Sequence, residues 1–428
     1  MRFLVGRRAL LQSAAATALF GIPLHQAKRA LACDAGLPSC DLYKTDPERY
    51  WSLLRRLWLL APDRINLNCG ALGCTPIPVL RATVEHLLFA EEYREPDNPW
   101  FGYAENARIR ATREALARYL NCKLDELALT RNATEGNNVI ANGLDIPLGD
   151  EVLLTDQEHP GARCAWEQKA ARFGIKINVI KLPRPPASNE EMVKLFEDAL
   201  TERTRVILFS HITWQTGLVL PAKEICALAN RRGILTHVDG AHGPGQIKVD
   251  LADLGCDFYA SNGHKWLMAP KGSGMLFVRE PHLERLWAHT VAEDWRNYGL
   301  KAYRFSNVGT SNLSVIVGFK AALDFVNAIG REHIYARIHE QARKVRDGLR
   351  QLPQIRMLNA STDAHHAGLV SFTTAKGDLG RVAAECDQRR IRIRYWPDEA
   401  RIRVSTHVFT HDPEINAFLD AVARGLRG

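Results

Sequence analysis

The sequence predicts an α/β fold: a large domain built on a mainly parallel sheet flanked by helices, then a smaller α+β domain at the C-terminus. Three observations predict it. From about residue 105 short apolar runs alternate with segments of helical period, Pro and Gly stand where helices begin and end, and from about residue 312 the alternation stops. Alternating β and α segments imply parallel strands covered on both faces.

Residues 33–65, rich in Trp and Leu from 41 onward, form an N-terminal segment lying against one of the domains. In "NARIRATREALARYL", Ile109, Leu116 and Leu120 fall on one side of a helix. "EVLLTD" (151–156) reads as a strand, "GARCAWEQKAARFG" as a helix closed by Gly174, and "IKINVIKL" as a strand. "RVILFSH" (205–211), the helix "LPAKEICALANRRG" and the strand and turn "ILTHVDGAH" repeat the unit. This large domain is expected over 66–311. From 312, "LSVIVGFKAALDFVNAIG" and an amphipathic helix at 331–351 lead into "AGLVSFTT", a helix near 378–389, "IRIRYW" and "RIRVSTH". They make the α+β domain of 312–428.

Residues 1–32 hold Arg2, Arg7, Arg8, Lys28 and Arg29 and no acid; without them the net charge of +8 falls to +3, with 51 basic against 48 acidic side chains. With no basic cluster or interleaved aromatic run elsewhere, nucleic acid drops out as a partner. The basic start, the apolar stretch from Ala9 to Leu24 and the small residues Ala30 and Ala32 read as an export signal, cleaved after Ala32. Arg7-Arg8-Ala-Leu-Leu-Gln resembles a twin-arginine signal, whose route carries folded proteins. The apolar run is shorter than the ~18–20 residues of a membrane span. The expected location is periplasmic or secreted. The nine cysteines contain no C-x-x-C pair and lack zinc-site spacing. In an oxidising compartment Cys33 with Cys40, or Cys69 with Cys74, could pair.

Four groups of chemically unusual residues fall at the carboxyl ends of strands, where open α/β sheets bind ligands. In "TRNATEGNN" (130–138), Ala133 and Thr134 offer backbone N–H groups at a helix start, a seat for phosphate; Asn132 or Thr134 could equally be a plain cap. In "TDQEHPGA" (155–162), His159 is aimed by the stiff turn before Pro160. In "THVDGAHGPG", Asp239 ends a strand, and His237, Asp239 and His242 could also be read as metal ligands of a hydrolase. In "SNGHKWLMAPKGSG", Lys265 ends an apolar strand, where burial disfavours its cation and leaves an amine able to condense with an aldehyde. A lone lysine there would read as a surface side chain snorkelling past Trp266. Together, a phosphate seat, a ring-stacking histidine and an acid 26 residues before a lysine are what pyridoxal phosphate (PLP) requires.

"RNATEGNN", "DQEHPGA", "HVDGAHGPG", "SNGHKWLMAPKGSG" and "RIRVSTH" together resemble the class V aminotransferase family of fold-type I PLP enzymes. "INLNCGALG", "VDGAHGPG" and "GHKWLMAPKG" are most similar to the branch named after isopenicillin N epimerase, the likeness running from about Asn66 to Phe418. The resemblance implies that Lys265 is joined to the cofactor aldehyde and moves the Cα proton, that Asp239 pairs with the pyridine nitrogen and that His159 stacks on the ring. It gives the phosphate to Ala133, Thr134 and His264, with Asn262 standing where many relatives have serine, and puts Thr213 and His242 near the ring hydroxyl. Gly309 and Thr310 match a segment that reaches the partner's phosphate in a homodimer with shared sites. Arg403 matches the arginine that grips the carboxylate of an amino-acid substrate.

Transamination, epimerisation and desulfuration then differ in the step taken once Cα has lost its proton. The usual desulfuration route needs a cysteine just before the carboxylate arginine; "YWPDEA" has none, and Cys386 falls on the preceding helix. Tyr103, Trp100, Trp214 and Tyr298 are candidates to line the substrate pocket. A scaffold retained for binding without turnover is the non-enzymatic alternative.

Overall fold

The computed structural model describes residues 36–92, 106–185, 188–293, 295–359, 362–374 and 378–427. The expected export signal, Cys33, Trp100 and Tyr103 lie outside the described residues. Helix α1 (Pro47–Leu54) starts where the Asp46 side chain accepts from the Arg49 N–H, with Pro47 at its first position. Strand β1 (Ile65–Asn66) and helices α2 (Ile77–Glu91) and α3 (Ala107–Leu120) come next.

The alternation then begins. β2 (Leu127–Thr130) feeds α4 (Ala133–Gly143), β3 (Glu151–Thr155) feeds α5 (Pro160–Phe173), and β4 (Lys176–Ile180) feeds α6 (Asn189–Ala199). β5 (Thr204–Ser210), α7 (Ala222–Arg231), β6 (Leu235–Asp239), β7 (Phe258–Asn262) and β8 (Gly274–Val278) complete the layer. The strands pair in the order β2-β8-β7-β6-β5-β3-β4. Every pair is parallel except those made by β8. β5 explains the burial: Val206 and Leu208 join one core while Ile207 and Phe209 join the other. A strand covered on both sides needs that unbroken apolar run, and each such side chain contributes about 1.5–3 kcal/mol on leaving water.

Helix α8 (Leu313–Ile329), expected to open the C-terminal domain, belongs to the large layer instead. Its Leu313, Phe319 and Leu323 share a core with Val79, Ile109 and Leu116 of α2 and α3. The passage to the second core falls inside α9 (Arg331–Arg350), where Ile334 and Ile338 face the first core and Ala342, Val345 and Leu349 the second. β9 (Ile355–Met357) and β10 (Leu369–Thr374) come next, then α10 (Leu379–Gln388), β11 (Ile391–Arg392), β12 (Arg394–Trp396), β13 (Arg401–Ser405) and α11 (Asp412–Gly425). The small sheet runs β12-β13-β10-β9. β1 pairs with β11, and Leu67 lies in the small core, so the segment after α1 is stitched to the C-terminal layer.

Candidate active site

The carboxyl ends of β2, β3, β5, β6 and β7 lie along one edge of the large sheet, and the unusual residues collect there. Asp239 is the last residue of β6 and is buried. Its Oδ1 accepts from the Ala241 N–H at 2.9 Å and its Oδ2 from Asn137 Nδ2 at 3.1 Å. Asn137 Oδ1 lies 2.9 Å from His237 Nε2, and His237 Nδ1 accepts from the Trp166 indole at 3.1 Å. Because Nδ1 accepts, the neutral imidazole carries its proton on Nε2 and donates it to Asn137. Burial holds the His237 pKa down to about 3, which keeps the ring neutral. Both His237 nitrogens are thereby used to orient Asn137 and, through it, the carboxylate. This corrects the metal-ligand reading of His237, and among the described residues no three His, Cys, Asp or Glu side chains converge as ligands.

Lys265 lies three residues beyond β7 and is buried. Its Nζ is 3.2 Å from His242 Nε2, while His242 Nδ1 accepts from the Trp266 indole at 3.1 Å. Burial, Lys265 and Arg403 hold His242 well below the usual imidazole range. With Nδ1 accepting, the His242 proton is on Nε2, so Lys265 must receive it through a lone pair. The contact therefore suits an uncharged amine. Burial lowers the Lys265 pKa to about 8, with Asp239 opposing.

His159 caps α5: its Nδ1 accepts from the Gly161 N–H at 3.0 Å, and Pro160 takes the first helical position. The cap fixes the ring orientation and leaves Nε2–H free. The ring is exposed on its open side, yet enough protein crowds it for burial to lower its pKa, with Asp239 opposing. The Trp214 ring meets it edge-on at 5.1 Å. Asn132 caps α4 by accepting from Glu135 N–H, and the Ala133 N–H donates to Asn262 Oδ1 at 2.9 Å. Ala133 is thus not the free donor that the sequence suggested; the Asn262 side chain occupies it. Thr134 remains at the helix start, against Gly161, where an added Cβ would collide with its hydroxyl. His264 donates Nδ1–H to Ser273 O at 2.9 Å, leaving Nε2 as its free edge.

The remaining expected residues are held by contacts of their own. The Thr213 hydroxyl accepts from Leu218 N–H and bonds Thr216 Oγ1 at 2.8 Å, tying down a turn. Gly309 and Thr310 line a separate cavity of about 410 Å³ with Lys271, Gly274, Arg131 and Glu135. Tyr298 is exposed and lines another cavity with Trp287 and Trp295, so it does not join Trp214 at the site. Cys69 and Cys74 are free thiols hydrogen-bonded to each other. Arg403, on β13, reaches across from the small sheet, donating to Trp214 O and to Asn68 Oδ1. Sequence reasoning missed Asn137, Gln157 and the buried Glu158, whose carboxyl burial pushes up to about 7.

The donor set suits PLP. Gln157 Nε2, Trp214 Nε1 and Arg403 Nε are buried without a partner in the protein, so donors in need of an acceptor accompany the Lys265 amine and the Asp239 carboxylate. Phosphate, ring hydroxyl and substrate carboxylate would supply such acceptors. A mainly parallel sheet bearing these groups at its carboxyl edge defines a PLP-dependent enzyme of fold type I. The comparisons agree. The family described as aminotransferase class V matches residues 76–400. The chain is 33% identical over 405 residues to isopenicillin N epimerase of Amycolatopsis lactamdurans, covering 87% of this chain and 98% of that protein. It is 32% identical over 393 residues to isopenicillin N epimerase of Streptomyces clavuligerus, covering 87% and 97%. The solved structure of a C-DES variant with glycine covalently linked to its PLP cofactor matches with a TM-score of 0.76 and 31% identity, covering 86% of this chain and 98% of that one; C-DES is described as a cystine C–S lyase. The chain belongs to the class V aminotransferase family, and its cofactor is PLP.

Proposed function

We propose that the protein removes and returns the Cα proton of an amino acid, with epimerisation as its net reaction. The observation that carries this reading is the buried Lys265 amine, its pKa lowered to about 8, held by His242 beside Asp239. PLP bound here supplies an electron sink conjugated to the α-carbon. Lys265 Nζ would hold the cofactor aldehyde and would serve as the base at Cα. Asp239, oriented by Asn137, keeps the proton on the pyridine nitrogen. His159 covers the ring, and Thr134, Asn262 and His264 hold the phosphate. Arg403 binds the α-carboxylate.

The epimerase relatives, covered almost from end to end, favour epimerisation over transfer. Cys386, the cysteine nearest before Arg403, is buried in the small core and cannot serve as a nucleophile in the site, which argues against desulfuration through a cysteine. Incubation with amino acids in deuterated water tests the reading. Deuterium at Cα with racemisation and no oxo acid supports it. Amino transfer to an oxo acid, or release of persulfide from cystine, would replace it. Two further parts of the reading are a homodimer, in which Gly309 and Thr310 reach the partner's phosphate, and export directed by Arg7 and Arg8. For export, replacing both arginines by lysine should retain the protein in the cytoplasm; unchanged export would contradict it.

A further inference from the structure

The small sheet presents an unusual charge arrangement to the site. β12 and β13 are antiparallel, with Arg394 opposite Arg403 and Trp396 opposite Arg401. Alternate residues share a face, so these four side chains stand together on one side of the sheet. The guanidinium carbons of Arg394, Arg401 and Arg403 lie 5.0, 4.2 and 5.4 Å from the centre of the Trp396 ring. A fourth cation joins them: Arg184 and Arg401 both donate to Gln215 Oε1, at 3.3 and 2.9 Å. Trp396 meets Trp214 edge-on at 5.5 Å, and Trp214 in turn meets His159. The cluster is therefore continuous with the candidate active site.

Four guanidinium groups meet two carboxylates. Asp156 pairs with Arg184 at 2.9 Å and Glu399 with Arg401 at 2.9 Å. Arg394 and Arg403 have no carboxylate partner among the described residues. Arg401 and Arg403 are 1% and 3% exposed, and the Nε of each is buried without a partner. Burial lowers the Arg403 pKa to about 9, with Arg401 and Arg394 adding to the effect, and that of Arg401 to about 10. Like charges directly across an antiparallel pair repel, and buried cations without anions are costly. An anion lying over Trp396 would relieve both. The α-carboxylate of the proposed substrate accounts for Arg403 alone and leaves Arg401 and the exposed Arg394 without a purpose in the proposed reaction.

We propose that the substrate carries a second anionic group, a carboxylate or its equivalent, at the far end of its side chain, and that Arg394 and Arg401 receive it across Trp396. The inference rests on the PLP reading of the site and deepens it. Arg394 and Arg401 are specificity-determining residues, and the indoles of Trp214 and Trp396 line the apolar path between the two anionic ends.

The test uses the PLP-loaded enzyme and the change in cofactor absorbance on titration with paired amino acids: glutamate with glutamine, then longer ω-carboxylates with their ω-amides. For at least one pair the acid should bind about tenfold or more tightly than its amide, as expected for a charge-assisted arginine contact. That ratio should fall to about twofold in Arg394→Gln, an exposed position whose substitution spares the core, and likewise in Arg401→Gln. Thermal denaturation gives a second readout: a dicarboxylate without an amino group should raise the Tm of the wild type more than that of Arg394→Gln. Equal binding of acid and amide, with a normal spectral response to both, would overturn the inference while leaving the PLP reading standing. No cofactor band in PLP-saturated protein would remove the PLP reading itself. A preference that survives both substitutions, or a Tm shift that inorganic sulfate reproduces in wild type and variant alike, would also overturn it.

Discussion

The proton pattern around Lys265 explains why this lysine differs from the other lysines of the chain. The indole of Trp266, the residue next to it, donates to His242 Nδ1, and His242 then donates from Nε2 to the amine once that amine has given up its proton. The consequence for stability has a definite sign. Below the folded pKa of about 8 the amine is protonated in folded and unfolded chains alike, and folding bears the whole cost of burying it. Between about 8 and the ordinary value of 10.5 only the unfolded chain holds the proton, so stability rises with pH. In cofactor-free protein, Lys265→Met should exceed the wild type at pH 7 by on the order of 3 kcal/mol, a gap that closes as the pH approaches 10.5. Urea unfolding at the two pH values measures it, and equal stability at pH 7 would contradict the account. At this scale Lys265 and Asp239 stand out as charged residues at the ends of apolar strands and His159 as a ring before Pro160, but only their combination pointed to one site, and Arg403, inside β13, was singled out by its family motif alone. Asn137 and Gln157 were not legible. A polar residue inside a helix or turn reads as facing solvent, and only the packing of α4 on β6 turns Asn137 inward to Asp239.

Elements bring the site together by meeting at one edge. β6 supplies the acid, the exit of β7 the amine, the α5 cap the ring, and β13 the buried guanidinium of Arg403. The loop from Asn66 to Thr75 touches two of these parts. Gly73 N–H donates to His264 O, Asn68 accepts from Arg403, and Gly70 N–H donates to Ser405 Oγ. Gly73 packs so closely on the Lys265 carbonyl that any Cβ would collide with it. Gly73→Ala should therefore destabilise the chain by about 2–4 kcal/mol and disturb the Lys265 segment; chemical denaturation checks the first effect and the visible spectrum of the cofactor-loaded variant the second. An unchanged midpoint and spectrum would remove the loop from the account. Strand and helix order in the large layer could be read from period and punctuation. The place of α8 could not, because an apolar helix fits either core and its sequence does not say which. Tyr298 failed for a related reason: an aromatic residue in a loop carries no signal of which cavity it lines.

The molecule as a whole has three hydrophobic clusters, one on each face of the large sheet and one in the small layer, the last joined to the first through α9, with the candidate site where the large sheet's carboxyl edge meets the small sheet. Within one chain Gly309 and Thr310 line a cavity whose lining does not include Lys265. If sites are shared, mixing Lys265→Ala with Thr310→Asp, each inactive alone, should restore roughly a quarter of wild-type turnover, since a hybrid dimer holds one intact site. No recovery after confirmed subunit exchange would make the sites independent. The +3 balance of residues 33–428 and the family motifs were legible along the chain, whereas the crowding of Arg394, Arg401 and Arg403 around one indole, with Arg184 sharing Gln215 with Arg401, emerged only when two strands and a loop came together. The central claim, a covalent link between the PLP aldehyde and Lys265, is tested most directly by borohydride reduction of the PLP-saturated protein followed by peptide mass mapping. The account predicts a pyridoxyl adduct on Lys265 and its loss in Lys265→Ala; an unmodified Lys265, or an adduct on another lysine, would contradict it.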